Sequence, residues 1–457
     1  MFAPGIPAIL LEFHSTSSVT ATFLLSIYIL GFAFGPLLVA PLSETFGRTP
    51  LYNYGNVLFT AFTIGAALSN NLGMLFAFRF LMGVSGSVPI TIGSGSIADI
   101  IPVENRGRAM SAWALGPLLG PCIGPVAGGY LIAAAGWRWV YWLLVILGGI
   151  LTGLSFVFMK ETYAPVVLQK KAARLRKETG NQALHSKLDV GREDARAKLK
   201  LAILRPLKLL VLTPLVTLMA LYIAITYGIL YLLITTFSFV YAQKYGFGEG
   251  TIGLTFIPAG LGMMIGVLGF GYITDLMVQR NLARGKPHRP EIRLTPTLTI
   301  PSGLALPVGL FLYGWSTQYG VHWIVPMIGV VIFAAGLMGV MVRCTPAILK
   351  LSPLQPGNAR IQDAMLTRTF AMPQMSIQNY LLDSYLRYAA SVTAALAVLR
   401  SLIGALLPLG GLQMYDALGL GWGNSLLAFV SLGLVPISFC FYIWGERLRQ
   451  RFQLKNL

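Results

Sequence analysis

The sequence predicts an all-α integral membrane protein, and three observations carry that prediction. Hydrophobic residues make up 55% of the 457 residues, with a mean hydropathy of +0.70. Only 11% are charged, whereas a soluble domain carries about 25% and needs them to cover its surface. The apolar residues also fall into long runs, and the basic residues are concentrated in every second connection between those runs. Together these observations exclude a soluble globular protein.

A membrane span needs about 20 apolar residues to cross roughly 30 Å of hydrocarbon. Eleven runs qualify, near 19–42, 51–70, 72–98, 108–133, 139–159, 209–241, 252–276, 297–317, 321–341, 387–411 and 423–445. Met1–Leu11 is also apolar, but as a helix it rises only about 16 Å. We interpret it as the second half of a truncated first helix, which makes twelve spans the parent architecture. An incomplete gene model, lacking an upstream exon, is the expected cause.

Loop charges predict the orientation. The connection 160–208 holds thirteen Lys and Arg against five acids, whereas the alternate loops offer only Arg138 and Lys244. By the positive-inside rule, 160–208 and both termini face the cytoplasm. We interpret 160–208 as a solvated linker that orients the protein, with a regulatory or lipid-contacting role as the alternative.

The spans divide into two six-helix halves. Residues 1–159 form the N-terminal half and 209–445 the C-terminal half, with a basic cytoplasmic loop (160–208) between them and a short cytoplasmic tail (446–457). The only Gly-Lys pair, Gly285-Lys286, is followed by proline, so the phosphate-binding loop of an ATP-driven pump is absent. Two helical halves without a nucleotide site favour a secondary transporter that rocks about a midplane cavity.

Other classes of function lack their residues. The three cysteines form neither a disulfide framework nor a metal site, so no cofactor or metal is expected. Basic residues are not interleaved with aromatic ones, which excludes nucleic acid as a partner. The four histidines lie outside the span centres, where an enzyme's base would be needed. We therefore predict a monomeric transporter, not an enzyme, whose partners are the lipid bilayer and a small substrate.

The segment Ala40–Arg48, between the second and third spans, contains Glu44, Gly47 and Arg48. A carboxylate and an arginine four residues apart can pair with each other or with neighbouring helix ends, and a glycine lets the turn fold back. An ordinary basic loop is the alternative. In this position the segment resembles the inter-helix signature of the major facilitator superfamily, which implies that superfamily's fold and a gating role for these three residues. It departs from the signature at Ala40, Thr45 and Thr49.

Two arginines lie inside apolar spans. Placing Arg at a helix centre costs about 2.5–3.5 kcal/mol on insertion scales, so a chance placement is disfavoured. Arg79 in the fourth span matches an arginine of the superfamily, and the resemblance implies a cavity group that couples protons or substrate. A structural arginine satisfied by backbone carbonyls is the alternative. Arg400 in the eleventh span is costly for the same reason.

No acid lies at a span centre. All sixteen fall at span ends or in loops, whereas a proton carrier usually needs a carboxylate whose pKa is raised by burial. An acid at the end of a span, Asp99 or Asp383, would have to serve, unless the carrier belongs to the missing half-span.

The fifth span carries a bare ridge of glycines with interleaved prolines. Such a ridge lets another helix approach closely, and each proline removes a backbone donor and bends the helix. We expect Gly262 and Gly266 in the eighth span to face it. Generic small-residue packing is the alternative. The pattern looks like the antiporter signature of the drug:proton antiporter branch of the superfamily. Its residues are Gly116, Pro117, Gly120, Pro121, Gly124, Pro125, Gly128 and Gly129.

Further segments resemble fungal multidrug members of that branch. They are Trp137–Trp142, Glu161–Pro165, Pro290–Leu294, Ile377–Leu381, Arg387–Ala390 and Gly419–Asn424. The resemblance implies proton-driven export at the plasma membrane, with the vacuolar membrane second. Spans rich in aromatic residues and methionine favour amphiphilic cargo such as drugs, toxins or secondary metabolites. Transport of polyamines or other small organic cations, or a non-functional product of a faulty gene model, are the alternatives.

The stretch Val342–Gln374 fits neither a membrane span nor the superfamily. Joining Met341 directly to Met375 would give one uninterrupted helix. We interpret the stretch as a retained intron, because valine codons begin with GT, a glutamine codon can be CAG, and Leu366-Thr367 can encode a branch point. A genuine cytoplasmic insertion is the alternative.

Overall fold

The computed structural model describes residues 1–101, 103–181, 183–186, 195–269, 296–341 and 389–451. The anomalous stretch 342–374 and Asp383 lie outside these residues. In the described part every predicted apolar run coincides with a helix, in whole or in part. Six helical stretches there are long and apolar enough to cross a membrane, and three more helices are apolar but shorter.

The N-terminal part begins with a 3₁₀ turn, Ala3–Gly5, and continues through seven helices. They are α1 Ile6–Glu12, α2 Ser18–Phe46, α3 Arg48–Ala67, α4 Leu72–Gly86, α5 Val88–Ile100, α6 Val103–Ala135 and α7 Arg138–Phe158. The predicted fourth span is thus two helices, α4 and α5, which meet at Ser87. Pro89 at the start of α5 lacks the N–H that a continuous helix would use there, which explains the break.

The C-terminal part holds the remaining membrane helices. They are α10 Pro214–Tyr245, α11 Glu249–Leu254, α12 (257–269), α13 Pro296–Gln318, α14 Ile324–Met341, α15 Ala389–Leu406 and α16 Gly411–Arg451. The long α16 is broken at Gly419, whose backbone is not helical (φ 73°, ψ 168°).

Two further helices occupy the predicted cytoplasmic loop, α8 Ala164–Thr179 and α9 Ala195–Leu212. The described part of 160–208 is therefore more ordered than the linker that the charge pattern suggests. Pro165 starts α8, and Gly180 ends it in the left-handed conformation (φ 71°). Between them lie mostly Ala, Leu, Lys and Arg, which are strong helix formers. The lysines of α8 are exposed, as expected of a solvated segment.

Buried apolar side chains form two main clusters. One, around Ile6, Leu24 and Tyr141, draws on α1 to α4, α6 and α7, and the other, around Tyr222 and Phe333, draws mainly on α10 to α16. The two parts meet where α2 packs against α15 and where α6 packs against α11.

Candidate transport site

The turn between α2 and α3 is fixed by Gly47. Its backbone (φ 97°, ψ 174°) lies in a region that is essentially restricted to glycine. A Cβ at this position would also overlap the carboxylate of Glu161. Two properties therefore require glycine at position 47, the backbone conformation and the lack of space for a side chain. The turn places Arg48 at the first position of α3.

Arg48 joins several helices at the predicted cytoplasmic face. Its Nε lies 3.2 Å from Asp99 Oδ2 at the end of α5, and its Nη1 donates a 2.7 Å hydrogen bond to Ser43 Oγ on α2. Its guanidinium carbon lies 4.9 Å from the centre of the Tyr163 ring, just before α8. We call Ser43, Arg48, Asp99, Glu161 and Tyr163 the inner gate cluster.

Glu161 receives main-chain hydrogen bonds in this cluster. The N–H groups of Arg48, Thr162 and Tyr163 donate to Oε1 at 2.9, 3.1 and 3.0 Å, and that of Thr49 donates to Oε2 at 3.2 Å. Two of these donors belong to the first turn of α3, whose N–H groups have no partner within the helix. Burial favours the neutral acid, but the four donors outweigh it and hold the pKa of Glu161 below its usual value.

The lowered pKa predicts an acid-dependent contribution to stability. A carboxyl group with a depressed folded-state pKa stabilises the protein above its unfolded pKa of about 4.5, and this stabilisation is lost as the pH falls through the folded-state value. We expect Glu161→Gln to cost about 1.5–3 kcal/mol near neutral pH. The difference from wild type should be constant from about pH 6 to 8 and should shrink below about pH 4.5.

Unfolding temperatures of the two purified proteins across this pH range measure the effect. Glu178→Gln is the matched control, because Glu178 forms an exposed ion pair with Arg174 on α8 and receives no main-chain hydrogen bond among the described residues. A difference for Glu161→Gln that stays the same down to about pH 3 would contradict the assignment.

Arg79 is buried on α4, with 5% of its surface exposed. Its Nη1 donates a 2.9 Å hydrogen bond to the hydroxyl of Tyr141 on α7. Its guanidinium carbon lies 3.9 Å from the centre of the Phe2 ring and 5.9 Å from that of Tyr28. The Nε atom is buried and has no hydrogen-bond partner among the described residues.

Glycines bring the helices around Arg79 close together. A Cβ at Gly31 of α2 would lie 2.8 Å from the Cα of Gly83 on α4. Because Tyr28 and Arg79 lie about one turn before these glycines, the close contact sets them side by side. In the C-terminal part, a Cβ at Gly228 of α10 would likewise lie 3.0 Å from Ile403 of α15.

Arg400 belongs to α15, the helix of the C-terminal part that packs against α2. Its guanidinium carbon is 4.7 Å from the centre of the Tyr227 ring on α10. The hydroxyl of Tyr231, one turn further along α10, interacts electrostatically with Tyr227, Arg400 and Tyr28. We call Tyr28, Arg79, Tyr227, Tyr231 and Arg400 the central arginine–tyrosine site. Apart from Arg79, its members are partly exposed, which suits residues that line a cavity.

The structure separates the predicted coupling residues. Asp99 belongs to the inner gate cluster, where it pairs with Arg48, and it is not part of the site that contains Arg79 and Arg400. Glu44 lies in the last turn of α2, and its side chain is outside the described part of the chain. Asp383 is likewise outside it. Tyr28 and Tyr231 connect Arg79 with Arg400 through their electrostatic contacts, and among the described residues no acid pairs with either arginine.

The glycine ridge of α6 is used along only part of its length. A Cβ at Gly129 would lie 2.7 Å from the backbone oxygen of Glu249, and one at Gly253 would lie 2.5 Å from that of Pro125. Gly124 and Gly128 face the backbone of Met1. Gly116 and Gly120, nearer the predicted cytoplasmic face, are exposed and have no atom of the described chain within 4 Å of a built Cβ.

The expected partners of the ridge are wrong in detail. Cβ atoms at Gly262 and Gly266 would meet Ala334 and Ala335 of α14, so these glycines let α12 pack on α14. The eighth span does face α6, through Gly253 and Gly260. Gly262 and Gly266 have the four-residue spacing of a packing ridge, whereas Gly253 and Gly260 are seven residues apart. The spacing therefore indicated the wrong pair as the partner of α6.

Sequence reasoning also missed the roles of Glu161 and Tyr141, and it did not distinguish the tyrosines of α10 from the other aromatic residues of the spans. Glu161 looks like part of a helix start, because Pro165 follows it, and two of its four main-chain donors come from a turn more than a hundred residues earlier. Tyr227 and Tyr231 do carry a signal, their four-residue spacing, but packing tyrosines share it.

Comparison with known proteins identifies the family. The family model described as Major Facilitator Superfamily matches residues 1–355. The chain is 45% identical to "Efflux pump radE" of Floropilus chiversii, over 100% of this chain and 79% of that protein. It is also 45% identical to "MFS-type transporter tndD" of Aspergillus flavipes, over 99% and 78% of the two chains.

Among solved structures, the xylose transporter XylE from E. coli shares the fold. It matches with a TM-score of 0.59 and 15% identity, over 96% of this chain and 92% of that one. The predicted all-α membrane fold and the resemblance to the superfamily are thereby confirmed. The chain belongs to the major facilitator superfamily and is a multi-pass membrane transporter.

Proposed function

We propose that this transporter exports amphiphilic organic molecules such as drugs, toxins or secondary metabolites, driven by proton antiport across the plasma membrane. The observation that carries the proposal is the central arginine–tyrosine site. It combines partly exposed aromatic rings with a few polar groups at the contact between α2 and α15. Such a lining suits an amphiphile better than a sugar, which needs many paired polar groups. A relative 45% identical is named an efflux pump, which supports the direction.

Antiport rests on the resemblance of the α6 ridge to the antiporter signature and on Arg79. The chain lacks a phosphate-binding loop, so an ion gradient is the available energy source. An arginine stays protonated. Arg79 therefore acts in this proposal as a fixed cation whose contacts change with the transport cycle, and the proton is carried by another group.

The glycine ridge of α6, which is packed along only part of its length, suggests how the central site opens to one side of the membrane and then to the other. On the outer side α6 is packed against α11 and α12, whereas Gly116 and Gly120 on the inner side face open space in the described chain. We propose that α6 closes onto the eighth span along these glycines when the inner side closes. Alternating access of this kind rocks one half against the other around a fixed central site.

This proposal predicts that Gly120→Leu inserts and folds normally but exports nothing. The added side chain meets no crowded part of the described chain in this conformation, but it would hold the helices apart in the closed one. The test uses three fluorescent probes with the same ring system, pyrenebutyrate, pyrenebutanol and pyrenebutyl-trimethylammonium. Their loading in proteoliposomes is followed with and without a pH gradient. Accelerated, gradient-dependent movement of at least one probe is the result expected of wild type.

Gly153→Leu on α7 is the matched control, since Gly153 is also exposed and has no atom of the described chain within 4 Å of a built Cβ. It should transport like wild type. Transport by Gly120→Leu at the wild-type rate would exclude closure along the ridge. Wild-type movement of all three probes at the rate of empty liposomes would count against export of amphiphiles.

A further inference from the structure

We infer that the preferred substrate is an amphiphilic aromatic anion, whose carboxylate or acidic phenol is held between Arg79 and Arg400. The inference rests on the proposed function, because it names the chemical class of the exported molecule. It starts from an imbalance of charge. Three ion pairs occur among the described residues, Arg48–Asp99, Arg138–Glu12 and Arg174–Glu178, and none of them includes Arg79 or Arg400.

The positions of the charged residues in the sequence agree with this imbalance. Every acidic residue of the chain lies at a span end or in a loop, while both arginines lie inside spans. A buried charge without a counter-charge is strongly unfavourable, because removal from water is not repaid by an ion pair. An anionic ligand would supply the counter-charge that the described protein does not.

The arginines are arranged to receive such a ligand. Each guanidinium lies over an aromatic ring, Arg79 over Phe2 and Arg400 over Tyr227, which orients its plane without occupying all its donors. The buried Nε of Arg79 has no hydrogen-bond partner in the described chain. A guanidinium presents five N–H donors in a plane that matches a carboxylate. Arg79 spends one nitrogen on Tyr141, so donors remain for a ligand oxygen.

The tyrosines supply the apolar part of the site. Tyr28 packs against Phe32 with ring centres 5.2 Å apart, and Tyr227 lies 6.0 Å from Tyr231. Tyr28 belongs to α2, Tyr227 and Tyr231 belong to α10, and all three rings are partly exposed. An aromatic ligand can stack on them while its anionic group reaches an arginine.

The same charges disfavour organic cations. A polyamine entering this site would approach two fixed positive charges without a described acid to offset them, and like charges at short range in a poorly solvated site repel strongly. The central site therefore points away from polyamines and other small organic cations, which the sequence alone leaves open.

Binding of the three pyrene probes to the purified full chain tests the inference. We expect wild type to bind pyrenebutyrate about ten- to a hundredfold more tightly than pyrenebutanol, the range that one charged hydrogen-bonded contact supplies. Pyrenebutyl-trimethylammonium should bind more weakly than either. Arg400→Gln should remove the preference for pyrenebutyrate and leave binding of pyrenebutanol within about twofold.

Two further variants keep the result interpretable. Arg400→Lys retains the charge and should keep a preference for the anion, and Arg174→Gln, on the exposed face of α8, should bind all three probes like wild type. If the cation or the alcohol binds and is transported as well as the anion, the inference is overturned while export of amphiphiles stands. If none of the probes binds or moves, both the inference and the proposed function fail.

Discussion

Gly47→Ala is expected to abolish transport and to lower the unfolding temperature. The conformation at position 47 costs of order 1–3 kcal/mol for any residue other than glycine. The new methyl group would also displace the carboxylate of Glu161 from the N–H groups of Arg48 and Thr49. Loss of charged hydrogen bonds adds about 1.5–3 kcal/mol. The combined change should disorder the turn that holds Arg48 on Asp99.

A matched control separates the two causes. Gly136, between α6 and α7, also has a positive φ of 86°, but a Cβ there meets no atom of the described chain within 4 Å. Gly136→Ala should therefore show only the backbone cost, with transport largely retained. Unfolding temperatures and probe transport of both variants provide the measurement. Equal losses in the two variants would show that the carboxylate of Glu161 has no special part in the inner gate cluster.

Arg79→Lys is expected to uncouple transport from the proton gradient although it keeps the charge. Lysine cannot reproduce the planar contact with Phe2 together with the hydrogen bond to Tyr141. Loss of one charged hydrogen bond corresponds to about tenfold or more in rate or affinity. Gradient-driven probe transport should fall by at least about that factor, while the protein remains folded.

Arg138→Lys is the control for this prediction. Arg138, at the start of α7, pairs with Glu12 at 2.6 Å in a partly exposed ion pair, and such pairs contribute about 0–1 kcal/mol. It should transport like wild type. If Arg79→Ala still transports with the wild-type dependence on external pH, Arg79 has no coupling role and is a structural arginine.

The sequence predicted the membrane class and the spans because both depend on local composition and length. The turn at Gly47 was also visible, since glycine between a carboxylate and an arginine is a local signal. The partner of Arg48 was not visible. The loop offered Glu44 four residues away, but the described contacts are to Asp99, Ser43 and the Tyr163 ring. Those residues come together only through packing of α2, α3 and α5 with the segment that precedes α8.

The central site shows the same limit. Arg79 and Arg400 stood out because a charge inside an apolar run is rare and costly. The aromatic rings that these arginines contact could not be identified from the sequence, because the spans contain many tyrosines and phenylalanines. Only the close approach at Gly31 and Gly83 places Tyr28 beside Arg79. Among the described residues no acid pairs with either arginine, which agrees with the sequence, where every acid lies at a span end or in a loop.

The way Glu161 is bound has a consequence for how related sequences can vary. Its four hydrogen-bond donors are main-chain groups of Arg48, Thr49, Thr162 and Tyr163, and every amino acid except proline supplies such a donor. These hydrogen bonds therefore require an acidic side chain at 161, whereas at positions 49 and 162 they exclude only proline. In related sequences, position 161 should therefore hold an acid although the neighbouring residues differ in chemical type. A similarity score averaged over the segment would miss this position.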